Sequence, residues 1–554
     1  MNSSPENGCS DRRWRFTWEA LAHIPILRLY LFRPDVSDLS VVCRGMKSSL
    51  RLDESILIVS WRLDEGDGKN REVFLRVPVP RVLIDPECSI NVNVMCDHIE
   101  AKLFLVLPVD HPVTEGLSRL LGADSDQRVP LLLGSDIENL SSEGVNFFCK
   151  SCSTKLTRKP VRYFMEMPSM NWREVADNWF GACCCSFGGS SEKLVSKYFD
   201  NVGSTEEICM LDKASIVVHK HLLEGYSFQA YCGKNLSGDN LGRTPLDPGV
   251  ESSKMNDSIY MCCESVSRGE FTVSAADNVD SPSMVHGDQL IMQNGYHRTQ
   301  VLESMNEMTS KNDFPCCNTG KTHNASLADG RSESEDSNTP YITLQSRKAY
   351  GNGFMIISSN HSSNVNWVEF SCKHCSSPLG SYPSAQNLLF PADGGIRLFK
   401  CYISTSLAIG GSNDAFKMHT LERIVANLLL EGSQDELSFR NIIIDLRTKS
   451  PRLQIVLLNS NAWCFSGHCV EGALTIEHSA ICMRPVVKFL FSDFSASTEA
   501  FSKIEEWSAR IHTEEVYMMT REIEELTTLL KSSIAKLPRS CSSFQGMSLS
   551  FLER

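Results

Sequence analysis

Two pairs of cysteines in the sequence have the spacing of metal ligands. Cys149 and Cys152 lie in the segment NFFCKSCSTKL, and Cys372 and Cys375 lie in EFSCKHCSSPLG. Two residues between cysteines let both sulfur atoms reach one metal ion at about 2.3 Å, and two such pairs complete a tetrahedral site. The sequence therefore predicts one structural zinc ion held by four cysteines. A thioredoxin-type redox pair and thiols without a metal are the alternatives.

A second group of cysteines could supply a nucleophile. Cys183, Cys184 and Cys185 follow a short predicted helix on which Trp172 and Trp179 share one face. A thiol needs a lowered pKa to act as a nucleophile, whereas the C-terminal end of a helix raises the pKa of a nearby thiol. A turn of small buried residues is therefore the competing interpretation.

Further cysteines and histidines are candidates on weaker grounds. Cys464 is followed four residues later by His468, which suggests a nucleophile and its base, but the segment is also typical of an apolar core strand. His219 and His221 alternate on a predicted strand and could be metal ligands or two exposed side chains. We expect His374 to face solvent. The sequence contains no P-loop, no Rossmann fingerprint and no zinc-protease motif.

The composition indicates a globular protein. Of 554 residues, 42% are hydrophobic and 22% are charged, which is enough apolar material for more than one core. No apolar run approaches the roughly 20 residues of a membrane-spanning helix, so we expect no membrane partner. The net charge of −13 does not favour general binding to nucleic acid, and we expect no direct nucleic-acid partner, although a local basic patch stays open.

The role of the cysteines depends on the cellular compartment of the protein. The chain has 22 cysteines, and its first residues, MNSSPENGCSDRRWRF, lack the apolar segment of a secretion signal. We therefore expect a reducing environment, in the cytoplasm with the nucleus as a second location. Cysteines there are more often metal ligands, nucleophiles or small core residues than disulfides.

The chain divides into zones that predict an α+β protein. Residues 15–232 contain many short apolar runs broken by Pro and Gly, which predicts a β-rich domain with the first cysteine pair. Residues 233–340 contain no tryptophan and are rich in Ser, Gly, Asn and Asp, which predicts a long disordered insert. Residues 341–540 predict an α+β domain with the second pair, so that one zinc site would clamp both domains. Residues 1–14 and 541–554 are predicted to be flexible.

Two helices are predicted in the last zone. Apolar residues recur at helical spacing in Phe416–Leu430, and Gly432 is expected to stop that helix. They recur again from Val516 to Leu537, before Pro538, with Thr513 as the expected helix start.

Several of these segments together resemble the HECT-like ubiquitin ligase family, also described as binding proteins of the mitotic ubiquitin-conjugating enzyme. The resemblance rests on FFCKSCSTKL, on EMPSMNWREVADNW, and on EFSCKHCSSPLG with the later IRLFKCYI. It covers roughly 15–232 and 341–540. It implies a protein that binds a ubiquitin-conjugating enzyme and promotes ubiquitin transfer to lysines of protein substrates. Cys183 or Cys184 would carry a thioester, with Cys464 as the alternative.

The resemblance also leaves a second function open. Relatives are implicated in binding the metallo-β-lactamase-type endonuclease of messenger-RNA 3′-end processing, which would make the protein a zinc-containing adaptor without catalysis. Trp172, Asp177 and Trp179 would then belong to a partner-binding segment. The chain departs from the family pattern in two respects: no Cys-His follows the second tryptophan, and no Thr-Cys lies near the C-terminus.

Overall fold

The structure is a computed structural model that describes residues 13–36, 38–64, 70–114, 131, 133–140, 144–167, 208–228, 350–357, 365–385, 390–435, 437–472, 481–495 and 513–554. All of them belong to one compact unit, which combines chain from before residue 234 with chain from after residue 344. The predicted insert at 233–340 lies outside the described residues. In the described part of the chain, no helix is long and apolar enough to cross a membrane.

Strands dominate the described part of the chain. In chain order they are β1 (Arg13–Leu21), β2 (Ile26–Phe32), β3 (Arg44–Arg51), β4 (Ile56–Asp64), β5 (Asn70–Pro78), β6 (Asn91–Val94), β7 (Ile99–Phe104), β8 (Phe148–Cys149), β9 (Tyr163–Glu166), β10 (Ile208–Leu211), β11 (Ser215–His219), β12 (Ile356–Ile357), β13 (Val365–Ser371), β14 (Pro378–Ala385), β15 (Gly395–Phe399), β16 (Ile403–Ser404), β17 (Arg440–Asp445), β18 (Pro451–Val470), β19 (Arg484–Asp493), β20 (Glu514–Met518), β21 (Ser543–Phe544) and β22 (Met547–Glu553). The helices are α1 (Leu39–Val42), α2 (Leu133–Leu140), α3 (Leu421–Asp435) and α4 (Thr520–Ile534). The prediction of an α+β protein is confirmed, with strands in the majority.

The largest sheet has eleven strands, which come from residues before 232 and from residues after 341. Its main path runs β12-β20-β17-β18-β1-β2-β7-β6, and β19, β21 and β22 branch from β18. The 20-residue strand β18 joins the zones, because its first half pairs with β17 and its second half pairs with β1. The chain before residue 232 and the chain after residue 341 therefore share one sheet. The domain boundaries at these residues stay predictions.

A three-stranded sheet, β3-β4-β5, packs on the N-terminal part of the large sheet. Trp14 and Trp61 are almost fully buried between the two sheets, with ring centroids 5.3 Å apart. Burying a large apolar side chain contributes about 1.5–3 kcal/mol, so tryptophans at these positions anchor this core.

A six-stranded sheet, with order β13-β14-β15-β11-β10-β9, supports the cysteine pairs. Its core includes Cys149 and Cys372 next to Leu379 and Leu398. The small pair β8 and β16 places Cys149 opposite Ile403. The first cysteine pair is thus fixed to chain that follows the second pair.

The two predicted helices exist with different bounds. Helix α3 runs past Gly432 to Asp435, so the expected stop at Gly432 is wrong. Gly432 does not adopt the positive φ with which a glycine ends a helix, so the helix continues through it. Residues 514–518 form strand β20 instead of the start of a helix, because Val516 and Met518 are buried with a period of two and the strand pairs with β17. Helix α4 begins only at Thr520.

The prediction of a flexible tail at 541–554 is wrong for most of that segment. Strand β22 pairs with β19, and Phe551 and Leu552 are almost fully buried. The segment MSLSF at 547–551 alternates apolar and polar residues, which is the strand signal that could have predicted β22. At the other end, Trp14 already lies in β1 and is buried, so the predicted flexible segment extends at most to residue 12.

Candidate metal centre

The first cysteine pair lies in a tight turn that follows β8. The N–H of Cys149 donates to the carbonyl oxygen of Thr154, and the N–H of Ser153 donates to the carbonyl oxygen of Cys149, both at 2.9 Å. Ser153 has a φ of +57°, which is the left-handed conformation that reverses the chain after Cys152. The turn therefore brings the two cysteines of the pair together.

The second pair repeats this turn almost bond for bond. The N–H of Cys372 donates to the carbonyl oxygen of Ser377 at 2.9 Å, and the N–H of Ser376 donates to the carbonyl oxygen of Cys372 at 2.8 Å. Ser376 has a φ of +59°. The two turns share the sequence pattern Cys-Lys-x-Cys-Ser followed by a hydroxyl residue. They also share the same two backbone hydrogen bonds and a left-handed serine at the same position.

The four sulfur atoms form one cluster. Cys149 Sγ lies 3.7 Å from Cys375 Sγ, and Cys152 Sγ lies 3.7 Å from Cys372 Sγ. All four lie within 4.8 Å of one another, and none of these cysteines forms a disulfide. A tetrahedron with metal–sulfur bonds of about 2.3 Å has edges of about 3.8 Å. The prediction that these cysteines meet is confirmed, and their spacing and soft donors are consistent with a zinc ion.

The thiols of the cluster differ in acidity. Burial raises the pKa of Cys149 to about 12 and also raises the pKa of Cys372. The hydroxyl and N–H of Ser377 lower the pKa of Cys375 to about 6. Because metal ligands must be deprotonated, binding at this cluster would release protons from the buried sulfurs.

Lys150 connects the first turn to a distant part of the chain. Its ammonium group is largely buried and donates to the carbonyl oxygens of Lys400, Phe416 and His419 at 3.1, 3.0 and 3.1 Å. Its own N–H donates to the carbonyl oxygen of Tyr402 at 3.0 Å. Burial lowers the pKa of Lys150. One side chain thus holds both ends of the segment between β15 and α3.

A buried ionic network lies beside these carbonyls. Lys400 is completely buried and donates to Oδ2 of Asp136 at 2.6 Å, and Nε2 of His419 lies 3.1 Å from the same oxygen. The pKa of Asp136 is lowered overall. Burial by itself would raise this pKa, but the hydrogen bonds and charges of His419 and Lys400 outweigh burial. Burial lowers the pKa of His419, and Asp136 compensates only in part. The network ties helix α2 to the segment that Lys150 holds.

The equivalent lysine in the second turn is exposed. Nζ of Lys373 lies 6.0 Å from the ring centroid of Tyr226, and its N–H donates to Oη of Tyr226 at 3.0 Å. Arg521 of helix α4 donates to the carbonyl oxygen of Ser376 at 2.7 Å and pairs with Glu369 at 3.2 Å. The second turn is therefore held from its surface.

The position of Cys464 does not fit a nucleophile. The residue lies in the middle of β18 and is 7% exposed, and burial raises the pKa of its thiol to about 11. His468 lies on the same extended strand, where four residues span about 13 Å. The two side chains therefore cannot exchange a proton directly, and the core interpretation of this segment agrees with the structure.

The remaining predicted site residues have the following positions. His374 is exposed, as expected. His219 ends β11 and His221 lies in the short 3-10 helix that follows, with ring centroids 4.9 Å apart. The predicted functional residues Cys183, Cys184, Trp172, Asp177 and Trp179, and the neighbouring Cys185, lie outside the described residues.

Reasoning from the sequence missed the buried network. Asp136, Lys400 and His419 lie in three separate segments, and no local spacing connects them. The repeated lysine after the first cysteine of each pair was a visible signal, but it does not reveal that Lys150 is buried while Lys373 is exposed.

Comparison with known proteins identifies the family. The chain matches the family described as HECT-like ubiquitin-conjugating enzyme (E2)-binding over residues 102–269 and 292–549. These ranges cover well over half of the chain and contain both cysteine pairs, so the chain belongs to this family. The searches of curated proteins and of solved structures gave no match.

Proposed function

We propose that the protein is a ubiquitin ligase of the HECT-like type. It binds a ubiquitin-conjugating enzyme and promotes transfer of ubiquitin to lysines of protein substrates. The observation that carries the proposal is the match to the E2-binding family over most of the chain. We place the protein in the cytoplasm, with the nucleus as the second location.

The four-cysteine cluster has a structural part in this proposal. It binds one zinc ion, which fixes chain around residue 149 to chain around residue 372 and so shapes the body that holds the conjugating enzyme. Four thiolates leave no open position on the ion, so it would take no part in the chemistry.

A covalent route would proceed by transthiolation. A thiolate of the ligase attacks the thioester carbonyl carbon, the bond to the cysteine sulfur of the conjugating enzyme breaks, and that sulfur leaves as a thiolate. A substrate lysine then attacks the new thioester and releases the ligase thiolate. We propose Cys183 or Cys184 for this step.

Burial disfavours several other thiols as carriers. It raises the pKa of every thiol in a set of cysteines away from the cluster: Cys43, Cys209, Cys401, Cys464, Cys469 and Cys541. Such thiols are protonated at neutral pH and poor nucleophiles.

The test is incubation with a charged conjugating enzyme. A ubiquitin adduct on the protein that thiols cleave, and that Cys183→Ser or Cys184→Ser abolishes, supports the covalent route. Cys464→Ser is the matched control and should keep the adduct. Failure to bind any conjugating enzyme in a panel would overturn the whole proposal.

A second candidate function is a non-catalytic zinc-containing adaptor. It is favoured by the raised pKa of the buried thiols named above. In this case the protein binds the metallo-β-lactamase-type endonuclease of messenger-RNA 3′-end processing. Stable co-purification of the endonuclease, lost on Trp172→Ala or Trp179→Ala, together with absence of any ubiquitin adduct, would favour this function.

A further inference from the structure

One surface of this acidic protein carries a cluster of exposed cations. Residues 144–165 contain five lysines and arginines and no aspartate or glutamate, although the chain carries a net charge of −13. Among these cations, Arg158, Lys159 and Arg162 are exposed. The local charge is therefore opposite to that of the whole molecule, as in proteins that bind anions at one defined place.

Backbone pairing adds further cations to this surface. Thr157 bridges to Leu223, and the N–H of Arg158 donates to the carbonyl oxygen of Leu222 at 2.8 Å. The basic segment thus runs beside the short helix that contains Lys220 and His221. Glu224 and, at the end of β9, Glu166 are exposed acids at the rim of the same surface.

Aromatic and imidazole rings lie on the adjoining face of the six-stranded sheet. Tyr163 is 60% exposed at the start of the edge strand β9 and pairs with Ile208. Met210 lies two residues after Ile208 on β10 and pairs with Val217, which lies two residues before His219 on β11. Paired residues, and residues two apart on one strand, point to the same face, so Tyr163 and His219 lie on one face of this sheet.

The row of rings continues beyond β11. The rings of His219 and His221 are 4.9 Å apart. Nζ of Lys220 lies 5.7 Å from the ring centroid of Phe390. Gly394 leaves room for His219, because a Cβ there would lie 3.2 Å from Nε2 of the imidazole. The surface therefore offers several flat groups in sequence, interleaved with cations.

We propose that this surface, formed by Arg158, Lys159, Arg162, Tyr163, His219, Lys220 and His221, binds single-stranded nucleic acid. Cations along a groove or sheet face contact phosphates, and exposed rings stack on successive bases. An acidic peptide would use the cations but would gain little from the rings, so the rings favour nucleic acid. This function is independent of ubiquitin transfer.

The experiment measures fluorescence anisotropy of labelled 12-mers with the full chain. The probes are oligo-uridine, oligo-thymidine and, as an anion without bases, poly-glutamate. Tyr163→Ala should weaken oligo-uridine binding roughly tenfold, whereas Tyr163→Phe, which keeps the ring, should change it less than about twofold. Poly-glutamate binding should not respond to either variant. Equal binding of the two oligonucleotides would leave RNA and DNA as alternative ligands, and tighter binding of oligo-uridine would identify RNA.

Charge variants test the cations separately. Arg162→Gln with Lys159→Gln should weaken oligo-uridine binding and reduce the salt dependence of log K by about 1.4, since each phosphate contact on a single strand contributes about 0.7. The matched control removes two exposed cations from β3, Arg44→Gln with Lys47→Gln, and should leave binding unchanged. Circular dichroism confirms folding of each variant.

Three results would overturn the inference. They are no oligonucleotide binding by the wild-type chain at low salt, an equal loss in the β3 control, and poly-glutamate binding as tight as oligo-uridine binding with no effect of Tyr163→Ala. The last result would identify an acidic protein segment as the partner.

Discussion

The two cysteine turns have the same backbone and different surroundings. In each, the first cysteine is buried, a serine in the left-handed conformation follows the second cysteine, and a lysine follows the first. The ammonium group of Lys150 donates to three carbonyl oxygens, whereas Lys373 is exposed beside Tyr226. The same short pattern therefore directs its lysine inward in the first turn and outward in the second.

The difference shows that two separate properties are encoded in the pattern. The spacing of the cysteines and the left-handed serine determine the sulfur geometry, and these are local. The role of the lysine depends on which segment packs against the turn, and this is not local. Replacing a cysteine should therefore destabilise both turns, whereas replacing the lysine should destabilise the protein only in the first turn.

The largest effect is expected from loss of a buried ligand. Cys149→Ser should abolish metal binding and destabilise the protein by about 4–5 kcal/mol or more, because folding and metal binding are coupled at a four-cysteine site. Elemental analysis should find about one zinc per wild-type chain and none in the variant. Cys464→Ser, which changes a buried cysteine away from the cluster, is the control. A wild-type protein that keeps the same thermal stability after its zinc is removed would contradict the assignment of a structural zinc site.

Replacing the lysines should separate the two turns. Lys150→Met removes the ammonium donor from three carbonyl oxygens, of which that of Phe416 still accepts from the N–H of His419 at 3.1 Å. The loss at the other two should cost about 3 kcal/mol, since each unsatisfied buried polar group costs about 1–3 kcal/mol. Lys373→Met removes one exposed contact with an aromatic ring and should cost at most about 1 kcal/mol. Urea unfolding of the two variants measures both. Equal losses would show that the interior position of Lys150 has no energetic consequence.

The segment that Lys150 holds should also contribute a pH dependence of stability through its buried histidine. The pKa of His419 is lowered from 6.5 by burial, so the unfolded chain binds a proton more readily than the folded chain as pH falls below 6.5. Stability should therefore decrease with falling pH from about 6.5 downwards, in the direction required by proton linkage. His419→Gln should flatten the stability curve between pH 6.5 and 5, as measured by urea unfolding. His374→Gln, which changes an exposed histidine of the second turn, is the control variant.

The sequence was sufficient for the local features of the site and insufficient for its setting. The cysteine spacing predicted four ligands, because ligand spacing is a property of a few residues. It also allowed the two pairs to meet across 219 intervening residues. The contacts of Lys150 could not be predicted, since its acceptors lie about 250 or more residues further along the chain. Strand β20 was mistaken for helix because Val516 and Met519 also fit a helical spacing, and only pairing with β17 decides between the two.

The smallest effect is expected where the two turns are alike. Ser153→Gly and Ser376→Gly each remove the strain of a serine in the left-handed conformation, which stabilises the folded variant by about 1 kcal/mol. Each glycine also raises the conformational entropy of the unfolded chain, which destabilises the folded variant by a similar amount. We therefore expect changes of less than about 1 kcal/mol at both positions, equal within error, with zinc content unchanged. Urea unfolding and elemental analysis measure them. A large effect at one serine alone would mean that the surroundings also determine the turn itself, and the separation of local sulfur geometry from non-local lysine function would then fail.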